Sequence, residues 1–276
     1  MADTRQLGLW ERWRSYLVFN PLVYFYTFVC GTLSLLSSFF DPRGRIQHGF
    51  ARLWSRMILR TSGCTLQVEG LENVDLSKPY IYASNHQSAF DIPTLYVGLP
   101  VQFRIMAKKE LFVYPFMGWH MKRSGQIPIE RDDARSSLRS LARASETVRG
   151  GTPLFVFPEG GRTPDGTIKP FLSGAFYVAI KAGVPIVPMA IVGTYEILPM
   201  NSYVIRPHPI RLIVGKPIST EGMNPREMGA LAKEVQKVIE DLYYAHSLVS
   251  DPRITPEGTE VACSPEADMT KTPARD

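Results

Sequence analysis

Residues 79–93 read PYIYASNHQSAFDIP, a stretch in which a short apolar run is followed by polar residues and then by a proline. The run PYIYAS is typical of a buried strand. Pro93 is tolerated only within the first turn of a helix, so a helix is expected to begin close to Asp91. The stretch therefore predicts a strand that turns directly into a helix, which is the local arrangement of an α/β fold.

His86 and Asp91 are five residues apart in this stretch. On a helix they would be rotated by ~500°, which leaves their side chains ~140° apart, so they can meet only across a turn. The alternative is structural, because Ser88 and Asp91 also have the spacing of a helix capping box. A cap at Ser88 would, however, place the ring of Pro93 against the carbonyl of Ala89 inside the helix.

A histidine held by an aspartate suits proton abstraction, because a neutral imidazole accepts a proton and the carboxylate stabilises the imidazolium that forms. The group that loses its proton is then a hydroxyl of the protein or of a substrate. Ser88 is the nearest hydroxyl of the protein, but the chain has no GxSxG motif around a nucleophilic serine. A substrate hydroxyl is the simpler interpretation.

Beyond Gly63 the sequence alternates between short apolar runs and amphipathic stretches, which predicts an α/β domain built on a substantial sheet. Strands are predicted at residues 64–69, 80–84, 103–107, 126–130, 153–157, 185–192 and 210–214. Helices are predicted at residues 91–98, 109–120, 132–149, 173–182 and 225–246.

Residues 15–40 contain no charged side chain and as a helix would reach ~39 Å, enough to cross a bilayer core of ~30 Å. We interpret them as a membrane segment rather than as a buried hairpin or a cleaved signal peptide. Arginines flank both ends, which favours a re-entrant hairpin that breaks near Gly31. Residues 44–60 are predicted to form an amphipathic helix, either at the membrane interface or packed on the domain.

The overall composition narrows the class of protein further. The 276 residues carry a formal net charge of +5, and residues 1–60 contain eight arginines against three acids. Nucleic acid would be attracted by such an arm, but the adjoining apolar segment favours a membrane instead. The three cysteines lack the spacing of a zinc site or a disulfide framework, so we expect a reducing, cytoplasm-facing environment.

Further polar clusters follow other predicted strands. Residues 155–166 read FVFPEGGRTPDG, where two glycines permit close approach of an anion and Arg162 offers a planar donor for phosphate, although a surface turn uses similar residues. Lys108, Lys109 and Arg131 also follow strands and, taken singly, resemble solvated rim residues. Together, a base, an anion site and a membrane-binding end indicate an enzyme that acts on a phosphate-bearing lipid.

The order of these motifs resembles the glycerolipid acyltransferase family, and most closely its 1-acyl-sn-glycerol-3-phosphate (lysophosphatidate) acyltransferases. NHQSAFD is similar to the NHxxxxD block of that family, KKELFVYPFMGW with GQIPIER to its second block, FPEGGR to its FPEGTR block and VPIVPMAI to its last strand. The resemblance implies a glycerol-3-phosphate acyltransferase-like αβα domain with a central mixed sheet, preceded by a membrane-associated helical motif.

The resemblance also implies roles for individual residues. His86 would act as the general base on the acceptor hydroxyl, with Asp91 supporting it. The glycerophosphate site would be shaped by Lys108, Arg131, Glu159, Gly160 and Arg162. The donor would be acyl-CoA or acyl-carrier protein, the product phosphatidate, and neither a cofactor, a metal ion nor nucleic acid is expected.

Three positions depart from the family pattern. Gly161 replaces a threonine, Pro128 replaces a phenylalanine and Leu172 stands where lysine is common, with Lys169 three residues earlier. These differences leave open another acceptor, such as lyso-ornithine lipid. From other classes, a lipid hydrolase using Ser88 and a non-catalytic membrane-binding protein remain alternatives.

We therefore expect three regions: a membrane-anchoring helical region at 1–62, an acyltransferase α/β domain at 63–250 and a disordered polar tail at 251–276. The expected location is the inner, cytoplasmic membrane, with the catalytic domain facing the cytoplasm.

Overall fold

The computed structural model describes residues 8–130 and 133–254 of the chain. These residues form one seven-stranded sheet in the order β1-β7-β6-β2-β5-β3-β4. The strands are β1 Leu66–Glu69, β2 Ile81–Ser84, β3 Arg104–Lys108, β4 Ile127–Ile129, β5 Leu154–Val156, β6 Ile186–Val192 and β7 Ile210–Val214. All neighbouring strands are parallel except β6 and β7, which pair antiparallel. The expected mixed sheet is confirmed.

The helices of the domain lie between and after these strands. They are α4 Asp91–Gly98, α5 Met117–Arg123, α6 Ala134–Arg149, α7 Gly174–Ala182, α8 Thr194–Ile197 and α9 Met228–Tyr244, with 3₁₀ turns at Leu71–Asn73, Lys109–Val113 and Pro225–Glu227. The prediction of one continuous helix at 109–120 is wrong. Pro115 lacks an N–H group and Phe116 has a φ of 58°, so the 3₁₀ turn ends before α5 begins. The short helix α8 was not predicted.

Helices cover both faces of the sheet, which is the expected αβα arrangement. On one face α6, α7 and α9 pack through residues such as Val148, Phe176 and Val235. On the other face α4 and a helix preceding the domain pack through residues such as Leu95 and Leu59. All residues of β2 and β6 are buried. Strands buried on both faces are continuous apolar runs in sequence, which explains why these two strands could be predicted.

Before the sheet, the chain forms a helical hairpin. Its first arm is one helix, Leu9–Ser37, made of α1 Leu9–Arg14, a π-helical turn Ser15–Phe19 and α2 Asn20–Ser37. Its second arm is α3 Arg45–Thr61. The first arm is long and apolar enough to cross a membrane. Within its apolar 18-residue stretch, 17% of the residues are buried.

The predicted break near Gly31 is wrong, because α2 continues through this residue. Gly31 lies beside Phe116 of the domain, where a β-carbon would be 3.9 Å from that of Phe116, an ordinary packing distance. The chain reverses at residues 38–44, where Gly44 adopts a φ of 67° and Asp41 Oδ2 accepts hydrogen bonds from the backbone N–H groups of Ile46 and Gln47. This carboxylate caps the start of α3.

The amphipathic helix predicted at 44–60 is present as α3. One face packs on the rest of the protein through Ser55, Ile58 and Leu59, while Ile46 and Leu53 are about half exposed. Packing on the domain therefore accounts for one face of α3. The boundaries at 62 and 250 stay predictions, and residues 255–276 of the expected tail lie outside the described residues.

Candidate active site

His86 and Asp91 contact each other across the turn between β2 and α4, as expected. His86 Nδ1 lies 2.8 Å from Asp91 Oδ2. A carboxylate accepts hydrogen bonds, so the imidazole donates from Nδ1 and its Nε2 is the nitrogen left for a substrate. The His86 side chain is 20% exposed and that of Asp91 is fully buried. The geometry thus gives an imidazole with one nitrogen held by the protein and the other able to take up a proton.

Asp91 is held by donors from two parts of the chain, the turn after β2 and the start of α8. Its Oδ2 also accepts the backbone N–H groups of Gln87 at 2.8 Å and Ser88 at 2.9 Å. Its Oδ1 accepts the hydroxyl of Thr194 at 2.5 Å, from the residue that begins α8. These donors satisfy both oxygens of a carboxylate that has no contact with water, and they fix its orientation toward His86.

Ser88 has structural partners for its hydroxyl. The hydroxyl donates to the carbonyl oxygen of Leu198 at 2.9 Å and accepts the N–H of Phe90 at 3.2 Å. Half of the predicted capping box forms, since Ser88 N–H donates to Asp91, but α4 begins at Asp91 and not at Ser88. His86 donates toward Asp91 and does not contact Ser88 among the described hydrogen bonds. A serine nucleophile is therefore poorly supported by this geometry.

Glu159, which follows β5, lies beneath the turn that carries His86. Its Oε1 accepts the backbone N–H of His86 at 2.6 Å, and its Oε2 accepts the backbone N–H of Lys169 at 2.9 Å. Burial raises the pKa of Glu159 to about 8, with the nearby Asp91 carboxylate acting in the same direction and these two N–H donors opposing it. Because both oxygens bond to the protein, Glu159 shapes the site through the backbone of His86.

The imidazole also has a stacking partner. The ring of His86 lies on the ring of Phe157, with centroids 3.9 Å apart and an interplanar angle of 17°. Sequence reasoning missed Phe157 as well as Thr194. The other site residues were predicted because they follow strands closely. Phe157 and Thr194 also lie within two residues of the end of a strand, so the same criterion could have included them.

The loop after β5 is tied down at several points. Gly160 adopts a φ of 75°, which favours glycine. Lys169 Nζ donates to the carbonyl oxygen of Arg162 at 2.7 Å, and the Thr163 hydroxyl donates to Gln87 Oε1 at 2.7 Å. A β-carbon at Gly161 would meet no atom within 4 Å, so the backbone leaves open space at this position. The loop is therefore fixed to the turn that carries His86.

Two of the cationic residues predicted for an anion site, Lys108 and Arg162, follow strands at the same edge of the sheet. Lys108 ends β3 and is exposed, and Arg162 is partly buried. Neither side chain forms a hydrogen bond or ion pair with another described residue. Lys109, in contrast, pairs with Glu130 at 2.6 Å. Arg131 lies outside the described residues. The structure thus brings His86, Asp91, Glu159 and Gly160 together, with Lys108 two strand positions away.

An apolar cavity of about 250 Å³ lies between the helical hairpin and the domain. Apolar residues of α2, α3, α4, β3 and α5 line it, among them Trp54, Ile92 and Ile105, together with Phe116 just before α5. His120 also lines it, and burial lowers the pKa of His120 to about 4, with Arg104 adding to the effect. Its neutral ring pairs with Ser34 Oγ at 2.7 Å, so the cavity wall carries no charge from this histidine at neutral pH.

Comparison with known proteins identifies the family. The family model described as Acyltransferase matches residues 65–192. A 1-acyl-sn-glycerol-3-phosphate acyltransferase of Saccharomyces cerevisiae is 30% identical over 236 residues, which cover 83% of this chain and 77% of that relative. The chain belongs to this acyltransferase family.

Other members of the acyltransferase family are similar to different extents. A chloroplastic 1-acyl-sn-glycerol-3-phosphate acyltransferase of Brassica napus is 41% identical over 178 residues, covering 64% of this chain and 51% of the relative. The chain thus spans about half the length of that relative. The crystal structure of the 1-acyl-sn-glycerophosphate acyltransferase PlsC from Thermotoga maritima superimposes with a TM-score of 0.64 at 25% identity, covering 81% of this chain and 95% of that one.

The acyltransferase family match coincides with the part of the fold that carries the site. It begins just before β1 and ends at the last residue of β6, so it includes the turn with His86 and Asp91 and the loop after β5. Thr194 lies two residues beyond its end. The helical hairpin, β7 and α9 lie outside the match as well.

Proposed function

We propose that this member of the acyltransferase family transfers an acyl group from an acyl thioester to the free hydroxyl of lysophosphatidate, forming phosphatidate for phospholipid biosynthesis. The observation that carries the proposal is the 2.8 Å contact between His86 Nδ1 and the buried Asp91, which leaves Nε2 available to a hydroxyl. The activity named for the relatives supports the same reaction.

In the proposed step, His86 Nε2 removes the proton from the acceptor hydroxyl while the hydroxyl oxygen attacks the carbonyl carbon of the thioester. The carbon–sulfur bond then breaks, and the thiolate takes the proton from the imidazolium. Asp91 stabilises that imidazolium through the hydrogen bond to Nδ1. The step needs no acyl-enzyme, no metal ion and no cofactor.

Phosphate binding is assigned to the cationic residues that the sequence predicted for it. Lys108, Arg131 and Arg162 would contact the phosphate, each charge-assisted contact contributing roughly 1.5–3 kcal/mol. Glu159 and Gly160 would shape this site by holding the turn and the loop in place. The absence of a described protein partner for the Lys108 and Arg162 side chains supports this role, because both charges are available to a ligand.

The apolar cavity supports a lipid substrate. Its lining is almost wholly apolar, and it adjoins α4, the helix that begins with Asp91. We therefore assign an acyl chain to this cavity. Burying such a chain contributes ~0.8 kcal/mol per methylene group.

A membrane surface is the proposed partner of the helical hairpin. Large apolar side chains on its first arm are mostly exposed: Trp10, Trp13, Leu17, Tyr24, Phe25 and Phe28. Val113, Tyr114 and Trp119 of the domain are also exposed. Exposed apolar patches of this kind mark membrane or protein contacts. We place the chain on the inner, cytoplasmic membrane, with the domain facing the cytoplasm.

An acyl-transfer assay with the His86→Ala variant tests the reaction. Membranes that contain the wild type should convert labelled acyl-CoA and lysophosphatidate to phosphatidate, and the variant should lose at least ~100-fold in kcat with its fold intact. Ser88→Ala serves as the control and should retain transfer. If the wild type released free fatty acid without an acceptor and Ser88→Ala did not, the protein would be a hydrolase and the proposal would be wrong. Transfer only to lyso-ornithine lipid would change the acceptor.

A further inference from the structure

Three arginines form a row on the exposed side of α6. Arg135, Arg139 and Arg143 are spaced four residues apart, so each is rotated by ~40° from the last and the row winds over ~12 Å of helix. The opposite face of α6 packs into the core through Ala144 and Val148. We call these three residues the α6 arginine row.

The row has few anionic partners within the described protein. Glu130 lines the same surface depression as Arg139 and Arg143, and it pairs with Lys109 at 2.6 Å. Asp133 caps α6 by accepting the N–H of Ser136 at 2.9 Å, and its charge interacts with Arg139. Glu146 lies one turn beyond Arg143. None of the three arginines forms an ion pair with another described residue, so the row has positive charge left for a partner.

A shallow cavity of about 300 Å³ adjoins the row beside the edge strand β4. Its lining includes Lys109, Arg139 and Arg143 together with Ser136 and Ser140, and no aromatic side chain of the described chain takes part. Leu138, which lies next to Arg139 in sequence, is 59% exposed. An adenine ring would therefore find no aromatic partner for stacking here, whereas a protein surface can contact both the charges and Leu138.

The start of α6 lies within the length of a pantetheine arm from β2, the strand before His86. α6 begins just after the carboxyl end of β4, and β4 is separated from β2, the strand before His86, by β5 and β3. Three strand spacings amount to ~14 Å. The pantetheine arm, whose main chain is as long as four to five extended residues, spans ~15 Å. A donor protein docked on α6 can therefore present its thioester near His86.

We propose that the α6 arginine row is the docking surface for the acidic face of an acyl-carrier protein, which delivers the acyl thioester to His86. This inference rests on the proposed function, because it needs an acyl-transfer reaction. A row of separated, exposed charges matches a row of carboxylates on a helix better than it matches a single compact phosphate group. Exposed charges at the edge of an interface mainly affect how fast the two proteins associate. Replacing these arginines should therefore change the apparent KM for the carrier protein and its salt dependence.

The test compares two donors with the double variant Arg139→Gln/Arg143→Gln. With acyl-carrier protein as donor, we expect the apparent KM to rise about tenfold, kcat to stay unchanged and the salt dependence of KM to weaken. With acyl-CoA as donor, kcat and KM should match the wild type, which also verifies that the variant is folded. The matched control Arg226→Gln/Lys233→Gln removes two exposed cations at the start of α9 and should behave as the wild type.

Each of the other outcomes would contradict the proposed docking surface. An increased KM for acyl-CoA would assign the row to the nucleotide phosphates of that donor. If the variant and the wild type had equal KM values for acyl-carrier protein, the row would have no role in donor binding. The same conclusion would follow if the wild type used acyl-CoA but not the carrier protein. A wild type that transfers no acyl group from either donor would instead contradict the proposed function.

Discussion

The hydroxyl of Thr194 donates a 2.5 Å hydrogen bond to Asp91 Oδ1, joining two residues that are 103 positions apart in the chain. Asp91 Oδ2 is occupied by His86 and by two backbone N–H groups, so Thr194 is the residue that holds the other oxygen. The orientation of the carboxylate toward His86 is thus set jointly by the turn after β2 and by the residue that begins α8.

This relationship makes Thr194 a positioning residue for the proposed reaction. In Thr194→Val a buried carboxylate oxygen loses its donor, which costs ~1–3 kcal/mol. We expect kcat to fall about tenfold or more, with the KM for lysophosphatidate unchanged, in steady-state acyl-transfer assays. Thr194→Ser keeps the hydroxyl and should restore most of the activity. If the serine variant were as impaired as the valine variant, packing and not the hydrogen bond would explain the loss.

Glu159 predicts a specific dependence of stability on pH. Burial raises its pKa in the folded protein to about 8, above the ordinary value of 4.5. The folded state therefore binds a proton more tightly than the unfolded state does. The resulting stabilisation is fully present below about pH 4.5 and is lost as the pH rises through about 8.

In thermal unfolding scans from pH 5 to pH 8, the Tm of the wild type should therefore fall by more than the Tm of Glu159→Gln. The extra fall should be ~2–4 °C for each kcal/mol of unfolding free energy that the wild type loses. The comparison between the two proteins at each pH isolates the carboxyl group, since the other titrating groups are shared. Parallel Tm curves would show that Glu159 does not take up a proton in this range.

Arg162 provides a test of the assigned phosphate site. Replacing it by alanine removes one charge-assisted contact, so the KM for lysophosphatidate should rise about tenfold or more, with kcat and the KM for the acyl donor little changed. Arg162→Lys keeps the charge but not the planar pair of donors, and should show an intermediate KM. An unaltered KM in the alanine variant would remove Arg162 from the phosphate site.

The tip of the helical hairpin predicts membrane affinity. Phe39 and Phe40 are 67% and 86% exposed there. Phe39→Ser/Phe40→Ser should reduce flotation with vesicles of phosphatidylcholine and phosphatidylglycerol at least tenfold, because two aromatic side chains no longer leave water. Leu248→Ser/Ile254→Ser, which alters two exposed apolar residues near the other end of the described chain, is the matched control. Equal flotation of both variants would argue against insertion of the tip.

Much of the fold was predictable from local patterns. The seven predicted strands are present within one or two residues at each end, because most of them are short apolar runs bounded by turn residues. The contact between His86 and Asp91 was predictable for a related reason. Five residues of separation and Pro93 leave only a turn in which the two side chains can meet.

The sequence by itself determined the features that depend on neighbouring residues. These are the strand positions, most helix positions, the apolar first arm and the histidine–aspartate pair. Tertiary structure alone decided that α2 continues through Gly31 against Phe116, that β7 runs antiparallel to β6, and that Thr194 and Glu159 support the pair. Those contacts join residues far apart in the chain, and local propensity and spacing carry no information about which distant groups a buried carboxylate or a closely packed helix will meet.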